Sequence, residues 1–429
     1  MKNIRLYFII AGFVGFTSCV NDILDKKPLD IISEEVVWND PDLVDSYMAR
    51  QYASMHIFRY DAPDDATSGG GSSIWNNRNA HMYVTNISDE AGRPVWAAAD
   101  PASYKRGGMS ISGGLLEWWP YTIIRQLNML IEKLPESAND PDFIAGRVAE
   151  ARFLRAFNYF AMIKRYGGVH LITKVIPLDA PDEELYPVRN SEQEIYDFVI
   201  SEIDAVEETL KSFTEYGRAS QGAALALKCR AALYAGSIAQ FGTVQLDGLL
   251  GIPQAQAPDY YRKSYDAAKK IINGGKFALY NSDEDKVTNF KNVFLKERNS
   301  EMIFVKQHDG SQIYWFYGFM ICPKPHGYDM GMSVAPYLEM AEEFEYTDGS
   351  PGTLDRDAIQ QGLWSMEELW GDKDSRFHAS IYPRPGRNVS EKVLVIPGQL
   401  LIRQYVHKEQ TFDKLSDGNL LNFQHKINS

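Results

Sequence analysis

Between Glu117 and Gly275 apolar residues recur with helical spacing in segment after segment, and this run constrains the fold more than any other feature of the chain. "EWWPYTIIRQLNMLIEKL" is followed by "AGRVAEARFLRAFNYFAMIKRYGG". In the second, Phe153, Phe157 and Phe160 fall at i, i+4 and i+7, and Gly167–Gly168 stop the helix. "SEQEIYDFVISEIDAVEETL" opens on a capping box, Ser191 with Glu194, and sets Ile195, Phe198, Val199 and Ile203 on one face. "GRASQGAALALKCRAALYAGSIAQFG" is alanine-rich, which lets helices approach closely, and "DYYRKSYDAAKKIINGG" supplies a further helix. An amphipathic hairpin cannot bury its apolar face alone, so successive hairpins must stack, as tetratricopeptide-like repeats do. The strict consensus of that repeat is absent. The spacing therefore predicts a mostly α fold, with helical hairpins forming a scaffold over about 117–275. Upstream, Asp40 caps a further helix with Pro41 at its first position, running to about Phe58.

Two long excursions interrupt this pattern. Residues 61–114 are rich in glycine and carry no sustained helical period, and residues 276–401 form the second. Irregular segments of such length inside a domain are uncommon unless they carry function or are disordered. The first holds Trp75, Asn76, Asn77, Arg78, Tyr83, Trp96 and Tyr104, a composition that suits binding. The second holds "SQIYWFYGFMICPKPHGY", with Tyr314, Trp315, Phe316 and Tyr317 side by side. A strand there sends Tyr314 and Phe316 to one face and Trp315 and Tyr317 to the other, so one half packs inward while the other half faces out. These loops and short strands are expected to carry the binding surface.

The first nineteen residues read as an address. "MKNIRLYFIIAGFVGFTSC" has Lys2 and Arg5 ahead of an apolar run from Leu6 to Phe16. As a helix that run reaches only about 16 Å, short of the ~30 Å bilayer core, which makes it a secretory leader (residues 1–18) rather than a span. Thr17 and Ser18 before Cys19 resemble a bacterial lipobox, so Cys19 is the expected lipidation site, with Phe16 in place of the usual leucine. A leader cleaved elsewhere, with Cys19 a bystander, is the other reading. Several acyl chains hold a protein on a membrane where one does not. Residues 19–40 then form a polar, extended leash, and residues 41–429 a single domain.

Charge and motifs narrow the chemistry. A formal net charge of −13 repels nucleic acid and anionic membrane, so neither is expected as a partner beyond the lipid anchor. Cys229 and Cys322 are too far apart for a zinc pair and read as buried thiols. "NSDEDK" at 281–286 lacks the glycine and terminal glutamate of an EF-hand loop and reads as a solvated turn. HExxH, GxSxG, GxxxxGK[ST] and GxGxxG are all missing. No catalytic residue, metal or cofactor is assigned, and the chain is not read as an enzyme.

Several motifs in order resemble the SusD/RagB family of surface lipoproteins. "AEARFLRAFNYFAMIKRYGGVHLI", Ala149–Ile172, resembles that family's EAxFLRAxxYF…GGVPL signature, with His170 where proline is usual. "ILDKKPLD", "NISDEA", "YTIIRQLNMLIEKL", "GRASQGAALALKCRAALY", "EEFEYTDGSPG" and "DKDSRFHASIYP" follow in the family's order. Members continue into further closing helices, whereas this sequence ends at "NFQHKINS", which reads as a truncated member, a naturally short one being the other reading. The resemblance implies an outer-membrane, cell-surface lipoprotein that captures oligo- or polysaccharide. Such a protein passes its ligand to a TonB-dependent SusC-like transporter. A minority of relatives imply peptide uptake instead, and a helical-repeat interaction scaffold without glycan binding is the remaining alternative.

In that family the glycan site is built by the loops before and after the repeats, here residues 61–114 and 311–328. The resemblance thus points to Trp75, Asn76, Asn77, Arg78, Trp96, Tyr314, Trp315 and Tyr317, with Arg93, Lys324 and His326 as further polar partners. Aromatic faces suit the apolar C–H face of a sugar ring, while amides and charges fix its hydroxyls. Core packing is the competing reading for each aromatic. Trp118, Trp119, Trp364 and Trp370, in or beside helical runs, are expected in the core, and Glu150 with Arg155 is expected to form a structural pair.

Overall fold

The computed structural model describes residues 34–55, 88–92, 119–213, 215–305, 335–357, 364–383, 392–393 and 402–404. Its first helices are α1 (Glu34–Asn39) and α2 (Pro41–Ser54), separated by Asp40, whose carboxylate accepts the Asp42 and Leu43 amides at 2.9 and 3.3 Å. That cap and Pro41 start α2 as its sequence predicts. The helix stops at Ser54, where Met55 turns extended and is buried. Residue 58, the expected end, lies outside the described residues. The leash also ends earlier than expected. Glu34–Asn39 is helical, Trp38 is buried edge-on against Tyr47, and Asn139 donates to the Trp38 carbonyl at 2.6 Å. A buried tryptophan ties residues 34–39 to the helical body.

The scaffold follows as α3 (Tyr121–Lys133), α4 (Pro141–Tyr166), the short α5 (Asp182–Leu185), α6 (Glu192–Val206), α7 (Gln221–Phe241) and α8 (Ala257–Asn273). α4 starts at the Asp140–Pro141 cap and ends at Gly167, whose φ of 63° is left-handed backbone that glycine adopts freely. The Ser191–Glu194 capping box of α6 is present in both directions. Neighbours pack in chain order, α3 on α4, α4 on α6, α6 on α7 and α7 on α8, around one continuous core. α4 is buried on several sides because α2, α3 and α6 all lie against it. On α7, Ala231, Ala232 and Ala235 are fully buried, and a Cβ at Gly236 would stand 2.8 Å from the Tyr261 ring. Small residues therefore set the close α7–α8 approach. The fold is mostly α, with helical hairpins as the scaffold.

Beyond the hairpins lie α9 (Lys286–Leu295), α10 (Leu338–Glu342), α11 (Met366–Trp370) and α12 (Ser375–Ser380), α9 packing on α12. A second, smaller core gathers Leu338, Ala341, Leu354, Leu369, Trp370, Phe377 and Ile381. The strands are short antiparallel pairs: β1 (Ala91–Gly92) with β2 (Ala335–Pro336), β3 (Trp364–Ser365) with β5 (Lys392–Val393), and β4 (Ile381–Pro383) with β6 (Ile402–Gln404).

Three expectations need correction here. Glu150 and Arg155 do not pair with each other. Fully buried Glu150 accepts from Tyr52 (2.7 Å), Arg147 (3.0 Å) and, through both oxygens, Arg218 (2.8 and 2.7 Å). Arg155 instead donates to Glu202 (2.7 Å), Asn128 (2.7 Å) and the Thr173 carbonyl (3.1 Å). One helical turn separates Arg155 from Arg152, so both reach Glu202 on α6, whereas Glu150 faces α2 and the turn before α7. Trp119 is not core: it is 48% exposed, while Trp370 is buried at 1%. Cys229 is only half-buried, its Sγ 3.4 Å from the Ser264 hydroxyl. Trp118 and Cys322 lie outside the described residues.

Candidate functional site

The β1–β2 ladder joins the two excursions, since β1 belongs to the segment before the scaffold and β2 to the segment after it. Ala91 pairs with Pro336 and Gly92 with Ala335, and the Tyr337 amide donates to the Glu90 carbonyl at 3.0 Å. Around this ladder opens a cleft lined by Ser88, Asp89, Glu90, Tyr337, Glu339, Met340 and Glu343. Each wall has a local cause. Ser88 accepts the Glu90 amide at 3.2 Å, a short side-chain turn that presents Asp89 and Glu90 outward. Tyr337 precedes α10, which buries Leu338 and Ala341 in the second core. Glu339 and Glu343 are thereby left exposed at the cleft, with Met340 half-buried between them.

Tyr337 is 39% exposed, and its ring passes directly over Gly92. A Cβ at Gly92 would stand 2.8 Å from the tyrosine hydroxyl and 3.0 Å from Cζ, so only glycine lets the ring lie there undisplaced. Arg356 reaches Glu339 at 3.2 Å and also binds Glu342. The Glu339 carboxyl is held below its ordinary pKa, first by its own backbone N–H and then by Arg356, so it stays ionised near neutrality. The cleft offers one aromatic face and a surround of hydrogen-bond acceptors with negative charge. It suits a neutral ligand carrying many hydroxyl donors, and it repels anions.

None of the residues singled out from sequence for this role, Trp75, Asn76, Asn77, Arg78, Arg93, Trp96, Tyr314, Trp315, Tyr317, Lys324 and His326, falls within the described residues, and neither does Cys19. The cleft residues carried a weaker signal. Ser88, Asp89 and Glu90 belong to "NISDEA", which marked the family order but not a site, and Tyr337 stands in a short run, "VAPYLEM", without aromatic neighbours.

A second concavity, of about 240 Å³, is walled by Phe213, Tyr216, Phe277 and Phe304. The Arg218 at its edge is bound by Glu150, and Tyr216 donates to the Met302 sulfur at 3.3 Å. "NSDEDK" is a turn and cap, as expected: Asp283 accepts from Tyr280 and Asn292, and Asp285 caps α9 through the Thr288 amide. Among the described residues no group of three or more His, Cys, Asp or Glu side chains is placed to hold a metal ion. Nor is any helix among them long and apolar enough to cross a membrane.

A family model described as starch-binding and associating with the outer membrane, SusD-like, matches residues 22–233. Over those residues the chain is similar to the SusD-like family. It is 29% identical over 235 residues to the SusD-like protein P38 of Formosa agariphila, covering 54% of this chain and 42% of that protein. A SusD-like protein from Bacteroides fragilis has the same fold, with a TM-score of 0.60 at 22% identity, over 89% of this chain and 70% of that one. A SusD-like carbohydrate-binding protein from the same species aligns with a TM-score of 0.56 at 19% identity, over 82% of this chain and 61% of that one. The chain spans about half the length of the curated relatives it matches.

Proposed function

We propose that this SusD-like chain captures neutral oligo- or polysaccharide in the cleft beside Tyr337 and passes it on uncleaved. In this reading it works from the outer-membrane surface, anchored by acylated Cys19, and delivers its ligand to a TonB-dependent SusC-like transporter. The observation that carries the reading is the meeting of both excursions at β1–β2, with an exposed tyrosine ring set among carboxylates. A sugar's C–H face stacks on Tyr337, and its hydroxyls donate to Asp89, Glu90, Glu339 or Glu343. Uronic and sulfated sugars meet like charge and are disfavoured. Glu339, held below its ordinary carboxyl pKa, is unsuited to the role of a glycosidase acid.

Binding in so open a cleft is weak per site, with a Kd of roughly 10 μM to 1 mM. Many tethered copies along one polymer compensate by avidity, and weak capture permits release to a transporter. The test is affinity electrophoresis through amylopectin, laminarin and β-mannan, with polygalacturonate as the anionic control. Wild type should be retarded by at least one neutral polymer and not by polygalacturonate. Tyr337→Ala should lose binding roughly tenfold, with an unchanged melting temperature because the ring is exposed. Gly92→Ala, which displaces the ring, should lose less. Wild type that ignores every neutral polymer, or binds only cationic peptides, overturns the reading.

A further inference from the structure

Trp119 follows the first excursion directly and stands at the entry to α3, beside the end of α4. Its indole lies 3.8 Å from the Tyr166 ring with the planes only 5° apart. Tyr121 lies nearly parallel as well, at 6.3 Å and 12°. These supports are themselves fixed. Tyr121 donates its hydroxyl to the His170 carbonyl at 3.1 Å, and Arg189 clamps the Tyr166 carbonyl at 2.9 Å and the Gly168 carbonyl at 2.7 Å. Buried Pro120 stands between Trp119 and the first residue of α3. One face of the indole is therefore covered by a ring whose position is set by the helix ends, while about half of the side chain remains in solvent.

A ring stacked on Tyr166 and about half exposed is a preorganised flat surface, one that loses little side-chain entropy when a ligand stacks on it. Its size matches a single pyranose C–H face. On the helix that follows, Thr122 and Arg125 are exposed, and Arg125 is anchored to the Ile176 carbonyl at 3.2 Å. A planar hydrophobe in a polar rim suits a sugar better than a protein surface, which needs a wider apolar patch.

We infer that Trp119, backed by Tyr166, is a further sugar-stacking platform, placed on the helical scaffold rather than on the β1–β2 cleft. It takes a neutral pyranose of the same polymer. The inference rests on the glycan reading above and extends it to a second contact point on one chain.

Two measurements on the full chain test it, both with amylopectin and laminarin. In calorimetry Trp119→Ala should weaken binding roughly tenfold, and Trp119→Phe should keep part of it. In oxidative footprinting of wild type, read by mass spectrometry, added polymer should protect the peptide bearing Trp119. Binding that is unchanged in Trp119→Ala, or a wild-type Trp119 that stays equally oxidisable with polymer bound, overturns the platform while leaving the cleft reading intact. Should Trp119→Ala fail to fold, the wild-type footprint decides alone. If wild type binds neither polymer nor any other neutral glycan, the glycan reading falls and the platform falls with it.

Discussion

Replacing Glu150 by alanine should cost about 3–5 kcal/mol of folding stability, the largest loss expected from any single exchange in this chain. The carboxylate is fully buried and receives four hydrogen bonds from three residues on different elements: Tyr52 on α2, Arg147 on α4 and Arg218 before α7. Arg147 keeps a second partner in Asp45. Arg218 does not have that outlet in equal measure, with Asp45 at 3.9 Å and the exposed Glu215 at 3.6 Å. Removal of Glu150 therefore strands a largely buried guanidinium and leaves the Tyr52 hydroxyl, which also accepts the Ala219 amide, without its acceptor. Glu150→Gln keeps one acceptor oxygen and most of the volume and should lose less. Urea unfolding checks this through the midpoint. The double exchange Glu150→Met with Arg218→Met should recover much of the loss, since what costs is the unpaired charge.

The second large effect is expected at Glu202. Arg152 and Arg155 share its carboxylate, one oxygen each, and Arg155 is only 5% exposed. Arg155 in turn holds Asn128 and the Thr173 carbonyl, and Asn128 donates to the Ile172 carbonyl at 3.0 Å. Glu202→Leu should lose ~3 kcal/mol: Arg152, part exposed, can turn to water, but Arg155 cannot. Because the network pins the backbone after Gly168, amide exchange over 170–174 should accelerate along with the fall in stability. A loss below about 1 kcal/mol, with exchange unchanged, would mean the arginines find new partners.

These two networks mark what the sequence could and could not reveal. The helices were legible because their signals are local: Asp40–Pro41, the Ser191–Glu194 box and Gly167 all act within a turn of where they stand. The stacking of hairpins followed from apolar faces that had to be covered. Partner choice is not local. Glu150 and Arg155 sit five residues apart, which puts them on different sides of α4, and their partners include Tyr52 and Arg218, 98 and 68 positions from Glu150, and Glu202, 47 from Arg155. Trp119 illustrates the same limit, since apolar spacing near a helix start cannot tell a ring that closes a core from one that rests on its rim.

The candidate site was partly legible. The two irregular excursions contain β1 and β2, whereas none of the cleft residues was singled out from the sequence. Aromatic runs draw attention in a sequence, while Ser88, Asp89 and Glu90 look like any polar turn. Tyr337 gains its meaning only from Gly92, far away in the chain, which leaves room for its ring.

Whether this chain holds a glycan without breaking it is tested by one experiment that addresses both halves. The purified protein is incubated with insoluble amylopectin or laminarin, the bound fraction is measured, and the supernatant is assayed for new reducing ends over a day at neutral pH. The account predicts a bound fraction that rises with polymer concentration, falls in Tyr337→Ala, and is accompanied by no reducing ends above the blank. Reducing ends that grow with time and protein concentration would make the chain a hydrolase and contradict the account.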